Sequence, residues 1–280
     1  MLTTPALRLL NQSRPDLQIS VVVEKAFEPV FEGNPAVVEV LPPSATAIRS
    51  WKPDLCLNLH GGTRSQWITT LSGARWRAGF AHHSFAFTYN VKIGGAQEII
   101  GVKRKVHTAE HLAAAVFALG VPVQRVPPAQ LFTTQSSAKG RYAVLHAFAS
   151  APEKRWPADR FCEVARYLKL WNITPIFLAG KDDDATCFEP HQVFRGSLAE
   201  LKALLSKAAV FVGNDSGPAH MAAAFLVPSV VLFGTSDPKI WRPWRTEAQV
   251  IAAPHGLGEV SVSRVIAALE RLHMLEEAHA

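Results

Sequence analysis

Val210-Phe211-Val212-Gly213-Asn214-Asp215-Ser216-Gly217-Pro218-Ala219-His220-Met221-Ala222-Ala223 is the stretch that decides the fold. An apolar strand runs into a tight turn of Gly, Asn, Asp and Ser. An Ala-rich helix with proline in its first turn follows. Amide N–H groups at such a helix start have no carbonyl partner, and with the helix dipole they make an anion site. Gly217 lets an anion approach the backbone, and the Ser216 hydroxyl can donate to it. Asp215 is expected to hold the turn by capping N–H groups. The same spacing also serves a plain strand-to-helix connection, so the turn alone does not assign a ligand.

Strand–helix alternation continues on both sides of this turn. Strands are predicted at Leu17–Val23, Ala36–Leu41, Asp54–His60, Arg141–Ala147, Ile173–Ala179, Ala209–Gly213, Val227–Gly234 and Ala248–Ala252. Many are continuous, β-branched runs bounded by Gly or Pro, as strands covered on both faces should be. Helices are predicted at Thr63–Leu71, His107–Leu119, Pro157–Leu170, Leu198–Lys207, Pro218–Leu226 and Glu259–Leu275. In the last, Val262, Val265, Ile266, Leu269 and Leu272 share one face. Ser197-Leu198-Ala199-Glu200 reads as a capping box. The class is therefore α/β, with parallel sheets built from βαβ units. The alternation pauses over Val121–Gly140, which holds three prolines and a Ser/Thr/Gln-rich stretch. Domains are accordingly placed at 1–125 and 141–280, joined by a linker at 126–140, with a ligand cleft between the halves.

Over 280 residues, 48% apolar and 19% charged composition excludes disorder and coiled coil. The run Ala222–Phe233 is interrupted by Pro228 and falls short of the ~20 residues of a membrane span. No signal peptide opens the chain, so a soluble protein is expected. A net charge of +6 and a pI near 9.4 suit a phosphorylated ligand, anionic lipid or nucleic acid without choosing among them. Cys56, Cys162 and Cys187 form no C-x-x-C pair; Cys56 reads as a buried thiol, in keeping with a reducing cytoplasm.

A second signal comes with the strand at Arg141–Ala147: His146-Ala147-Phe148-Ala149-Ser150-Ala151-Pro152-Glu153-Lys154-Arg155-Trp156-Pro157. It sets a hydroxyl and two adjacent cations at the C-terminal edge of a parallel sheet, where open α/β sheets bind ligands. Lys154 is suited to a phosphate as a point charge; Arg155 could act likewise or pair with Glu153. With Gly180-Lys181-Asp182, Phe194-Arg195-Gly196-Ser197-Leu198 and Leu232–Pro238, these stretches resemble the donor half of the ADP-heptose:lipopolysaccharide heptosyltransferase family, glycosyltransferase family 9. In the first half, Phe31–Pro35, Val38–Val40, Pro53-Asp54 and Gly79-Phe80 are similar to that family too. The resemblance covers nearly the whole chain.

The resemblance implies a GT-B fold, two Rossmann-like domains facing a cleft. The activity implied is inverting transfer of a heptose or related sugar from an ADP-linked donor to a lipopolysaccharide-core-type acceptor. No metal and no cofactor are implied; the nucleotide sugar, ADP-heptose, is a substrate. By motif match Lys154 contacts the donor pyrophosphate and stabilises the leaving group, with Ser150 assisting and the Ser216 and Gly217 amides on the same group. Asp215 fixes their turn, Asp182 holds the ribose, and the turn at Gly196 lies near the adenine. Arg64 matches a basic acceptor position; Arg75, Arg77, Lys103, Arg104 and Lys105 extend it into a basic face. The last helix is expected to pack back on the first half, as in GT-B relatives. The implied setting is the cytoplasmic face of the inner membrane, with peripheral contact to a lipid-linked saccharide acceptor.

Met1-Leu2-Thr3-Thr4-Pro5-Ala6-Leu7 matches only the tail of the family's opening motif, Gly-Asp-x-Leu-x-Thr-x-Pro-Ala-Leu. The first strand and the Gly-Asp turn, whose Asp is the family's general base, have no counterpart, which implies a slot in the first sheet with unpaired edges. A catalytically inactive or truncated member that only binds nucleotide sugar is the competing reading. Other classes fit less well. His107-Thr108-Ala109-Glu110-His111 fits H-x-x-E-H, a zinc peptidase pattern, with partly exposed histidines on a helix as the plainer reading. Asp182-Asp183-Asp184 reads as solvated surface at a helix start, not a metal site. No G-x-G-x-x-G supports a nicotinamide enzyme, and no aromatic-interleaved basic motif supports nucleic acid.

Overall fold

The computed structural model describes residues 1–134, 140–149 and 151–277. Two compact units result, one over Leu2–Pro127 and one from Pro128 onward. The boundary falls inside the predicted linker, of which 135–139 lie outside the described residues. No helix among the described residues is long and apolar enough to cross a membrane.

The first unit runs α1 (Thr4–Ser13), β1 (Ser20–Val22), β2 (Glu39–Leu41), α2 (Ala45–Trp51), β3 (Leu55–Asn58), α3 (Thr63–Leu71), β4 (Trp76–Phe80), β5 (Val91–Ile93), α4 (Ala96–Ile100) and α5 (Thr108–Ala118). Its strands are parallel but lie in two sheets, β1-β2 and β3-β4-β5. No described strand joins the two. Five elements here escape the periodicity: α1, α2, β4, β5 and α4. Helix α1 spans the opening motif and buries Ala6, Leu7 and Leu9. Strand β4 carries Arg77 and Gly79 inside its apolar run; a Cβ at Gly79 would lie 2.4 Å from the Tyr89 ring, so glycine is required for that ring to pack. Strand β5 has only three residues.

The H-x-x-E-H stretch is spent on starting α5. His107 is 3% exposed, not partly exposed, and its Nδ1 accepts the Ala109 N–H at 3.1 Å. Glu110 accepts the His107 N–H at 3.0 Å, closing a capping box with histidine in the place usual for Ser or Thr. Arg104 grips the same carboxylate with two bonds of 2.8 and 2.6 Å and holds it below the ordinary Glu range. Because that pKa is depressed, the pair stabilises the fold above the unfolded Glu value and loses its effect as pH falls through the lowered one. Glu110→Gln keeps the cap and removes the charge. It should cost about 1 kcal/mol at pH 7, modest because Arg104 is half exposed, with the gap to wild type closing in thermal unfolding as the pH falls below the ordinary Glu range.

The second unit runs β6 (Tyr142–His146), α6 (Ala158–Leu170), β7 (Thr174–Leu178), β8 (Gln192–Phe194), α7 (Leu198–Leu205), β9 (Val210–Asn214), α8 (Gly217–Ala224), β10 (Ser229–Phe233), α9 (Pro238–Trp241), β11 (Ala248–Ala252) and α10 (Val262–Glu277). The six parallel strands lie in the order β11-β10-β9-β6-β7-β8. Strands β9 and β10 are buried throughout, as their unbroken apolar runs require. The edge strand β8, three residues long, and the one-turn helix α9 go unpredicted. The capping box forms at α7: Ser197 Oγ accepts the Glu200 N–H, and Glu200 accepts the Ser197 N–H at 2.7 Å. The buried face of α10, Val265, Ala268, Leu269 and Leu272, lies in this unit's own core, and the helix packs on α6, β10 and β11.

Candidate functional site

The strand order reverses between β6 and β9, neighbours in the sheet that are separated in sequence by two other strands. Their following loops leave in opposite directions and open a crevice at the carboxyl edge, the usual ligand position in such sheets. His146 at the end of β6 lies opposite Gly213 on β9. A Cβ at Gly213 would stand 3.0 Å from the His146 carbonyl oxygen, so glycine lets the two strand ends approach.

Asn214, fully buried, ties the two loops together. Its Nδ2 donates to the Ala147 carbonyl at 2.8 Å, and its Oδ1 accepts the Trp156 N–H at 3.1 Å. Trp156 packs edge-on against Phe161 of α6 and donates its ring N–H to Val260. Arg155 neither pairs with Glu153 nor stands ready for a phosphate; its guanidinium donates twice to the Ala149 carbonyl, at 3.0 and 2.8 Å. The short turn Pro152–Lys154 is thereby fixed, and Lys154 is left half-buried. Gly234 after β10 brings its backbone against the same turn: a Cβ there would meet the Glu153 carbonyl oxygen at 3.2 Å.

On the facing loop, Ser216 is the N-cap of α8 and makes no side-chain cap bond; Pro218 sits in the first turn. The Gly217 amide therefore stays unfilled at the positive end of the helix. A Cβ at Gly217 would meet nothing within 4 Å, so its own packing does not demand glycine. Gly217→Ala should leave the melting temperature unchanged while weakening nucleotide diphosphate binding about tenfold, because the methyl would stand where an anion meets the amides. Parallel melting and calorimetry on one sample check both halves.

Asp215 departs from its expected role. Its carboxylate faces Ser236 and Lys154 rather than the N–H groups of its own turn. Burial pushes its pKa above the ordinary Asp value, against both of those partners. The Leu232–Pro238 element thus brings Ser236 close to Asp215. His146 Nδ1 lies 2.9 Å from Ser216 Oγ, and Ser216 Oγ donates to the Asn214 carbonyl at 2.9 Å. Burial lowers the His146 pKa to about 4, with Asp183 pulling the other way.

The other expected site residues lie along the same carboxyl edge. Asp183 accepts the Gly180 N–H and Asp184 holds Thr186, so both are turn-forming; no long helix starts there. Asp182 is exposed and makes no side-chain bond, which leaves it open to a ligand hydroxyl. Gly196 has a packing reason of its own, since a Cβ would lie 2.4 Å from the Phe194 ring. Ser150 lies outside the described residues. In the first unit Arg64 is ion-paired with Glu24 on the surface. The basic face is largely engaged locally: Arg77 on the Thr88 and Ala74 carbonyls, Arg75 over the Trp76 ring and Arg104 on Glu110. Among the described residues, no three His, Cys, Asp or Glu side chains are grouped to hold a metal ion. His146 and Asn214 lie within the two stretches singled out in the sequence, but nothing local there assigns them a role.

The family model for glycosyltransferase family 9 (heptosyltransferase) matches residues 45–260. Among curated proteins, the chain is 25% identical over 289 residues to lipopolysaccharide heptosyltransferase 3 of Escherichia coli K12, covering 87% of this chain and 81% of that protein. Among solved structures, a family 9 glycosyl transferase from Veillonella parvula superimposes with a TM-score of 0.84 at 22% identity, over 97% of this chain and 92% of that one. A heptosyltransferase of Escherichia coli solved with ADP gives 0.80 at 21%, over 97% and 95%. These likenesses place the fold among the GT-B proteins.

Proposed function

The chain belongs to glycosyltransferase family 9, the heptosyltransferases, and from that premise we propose that it moves a heptose from an ADP-linked donor onto a lipopolysaccharide-core acceptor with inversion at the anomeric carbon. The observation that carries this reading is the convergence of Lys154, Asp215, Ser216 and the Gly217 amide on the crevice between β6 and β9. An acceptor hydroxyl attacks the anomeric carbon, its proton passing to solvent water, as the bond to the diphosphate oxygen breaks. The electron pair leaves with ADP, and negative charge grows on its terminal phosphate. A half-buried ammonium and an unfilled helix start are worth most to such developing charge, because neither must reorganise. In this reading the positive charge comes from Lys154 and the helix start, and no cofactor takes part. Asp182 takes the ribose, the turn at Gly196 borders the base, Ser150 assists at the diphosphate and Arg64 turns from Glu24 to the acceptor. The work is done at the cytoplasmic face of the inner membrane, where the lipid-linked acceptor is presented.

The test is calorimetric titration of the chain with ADP, UDP and GDP, followed by a transfer assay with ADP-heptose and a core acceptor. Selective ADP binding with transfer supports the full reading. Preference for UDP or GDP retains the donor site and changes the donor. The separation of β1-β2 from β3-β4-β5 favours one alternative, a member that binds nucleotide sugar without transferring it; ADP binding with no transfer would select that.

A further inference from the structure

We infer that His146 is a positioning residue of the donor site, its Nδ1–H fixing the Ser216 hydroxyl so that the hydroxyl proton is free to turn onto the bound diphosphate. This rests on the donor-site reading above, and it follows from counting hydrogens. The Asn214 carbonyl oxygen can only accept, so the proton of Ser216 Oγ is committed to that 2.9 Å bond. The second 2.9 Å contact, to His146 Nδ1, must then be a bond that Ser216 accepts. His146 is therefore the Nδ1–H tautomer, with Nε2 bare. A ring kept neutral by burial has one N–H, and this pairing says which nitrogen carries it.

The arrangement has a consequence for a ligand. The Ser216 proton rests on a backbone carbonyl two residues back. When a phosphate oxygen arrives at the α8 start, the hydroxyl can rotate onto it without breaking the bond from His146. Donation from the imidazole into Oγ also makes that hydroxyl a better donor, as in any hydrogen-bonded chain. Without His146 the Oγ position is held by the carbonyl alone, and rotating away from it leaves the side chain untethered. The residues that bring the pair together belong to strands with no local sequence relation. His146 ends β6, Ser216 follows β9, and Gly213 permits the close approach of the two.

The test is a double-mutant cycle on the full chain, read as ADP affinity by calorimetry. His146→Phe and Ser216→Ala should each lower affinity about fivefold to twentyfold, and the double variant should be no weaker than the weaker single. His146→Asn, whose Nδ2–H takes the place of the ring Nδ1–H, should bind within about twofold of wild type. Affinity unchanged in folded His146→Phe, or losses that multiply in the double variant, would overturn the role. Nitrogen NMR of the imidazole in unliganded wild type stands independently of any variant's folding. A protonated Nδ1 and bare Nε2 are expected, and a protonated Nε2 would overturn the pairing. Wild type that binds no nucleotide would overturn the donor-site reading itself, and with it any role of His146 there; the imidazole spectrum tells that failure from a failure of the pairing.

Discussion

Lys154→Ala should lower sugar transfer by about two to three orders of magnitude in kcat while weakening ADP binding by only about tenfold. The asymmetry follows from where the charge grows. In the bound donor the diphosphate is already anionic, so Lys154 contributes to ground-state binding. As the anomeric bond breaks, a further charge develops on the terminal phosphate, and only that increment accelerates the reaction. The ammonium is carried on the Pro152–Lys154 turn, which Arg155 pins through Ala149 and Asn214 pins through Trp156. It is therefore held in place before the reaction rather than recruited during it, the condition under which such a charge is worth several kcal/mol. Asp215 lies near the same group and near Ser236, and burial raises its pKa above the ordinary Asp value. Lys154→Arg should recover part of the binding but little of kcat, since a planar guanidinium does not replace a point charge on a short turn. Steady-state kinetics with ADP-heptose separate the two parameters. A variant that raised KM with kcat intact would reassign Lys154 to uniform binding.

The second unit was readable because its strands are continuous apolar runs and its turns carry Gly, Pro and capping residues at fixed offsets. The α8 start, the α7 capping box and the loop bearing Lys154 all lie in stretches a few residues long, where local pattern is the physics. The first unit is less legible: Arg77 and Gly79 disguise β4, and the ring of Tyr89 that explains Gly79 comes from a later loop. His107-Thr108-Ala109-Glu110-His111 shows how a motif can mislead, because a metal-like spacing and a capping box use the same residues until Arg104 is seen to claim Glu110. Asp215 faces Ser236 and Lys154 rather than its own turn, and the sequence does not show that Ser236 comes close to it from the neighbouring strand's loop. His146 and Asn214 act on groups 70 and 58 residues away in sequence. Only the sheet order, which sets β9 beside β6, makes them neighbours.

Asn214→Ala should destabilise the second unit by about 3 kcal/mol, because it strands two buried backbone groups at once. The Trp156 N–H and the Ala147 carbonyl each lose their side-chain partner in a position that is 0% exposed in the native chain. At ~2–4 °C per kcal/mol for a unit of this size, the melting temperature should drop by roughly 6–12 °C. Asn214→Asp discriminates this account from simple loss of packing, since the side chain is nearly isosteric. An ionised Asp keeps the acceptor for Trp156 but sets a second lone pair against the Ala147 carbonyl. A protonated Asp restores the donor and with it the whole pattern. The Asp carboxyl is therefore pushed above its unfolded value in the folded chain. Its stabilising form is fully present below the unfolded pKa, near ~4, and is lost as pH rises through the higher folded one. The Asp variant should thus approach wild-type stability only in acid and fall toward the Ala variant at neutral pH. Thermal unfolding of the three proteins between pH 3.5 and 7 reads this directly; parallel curves for Asp and wild type would mean that Asn214 fills space and nothing more. The same bonds hold the Lys154 loop against the Ser216 turn, so both variants should lose ADP affinity well below their melting temperatures.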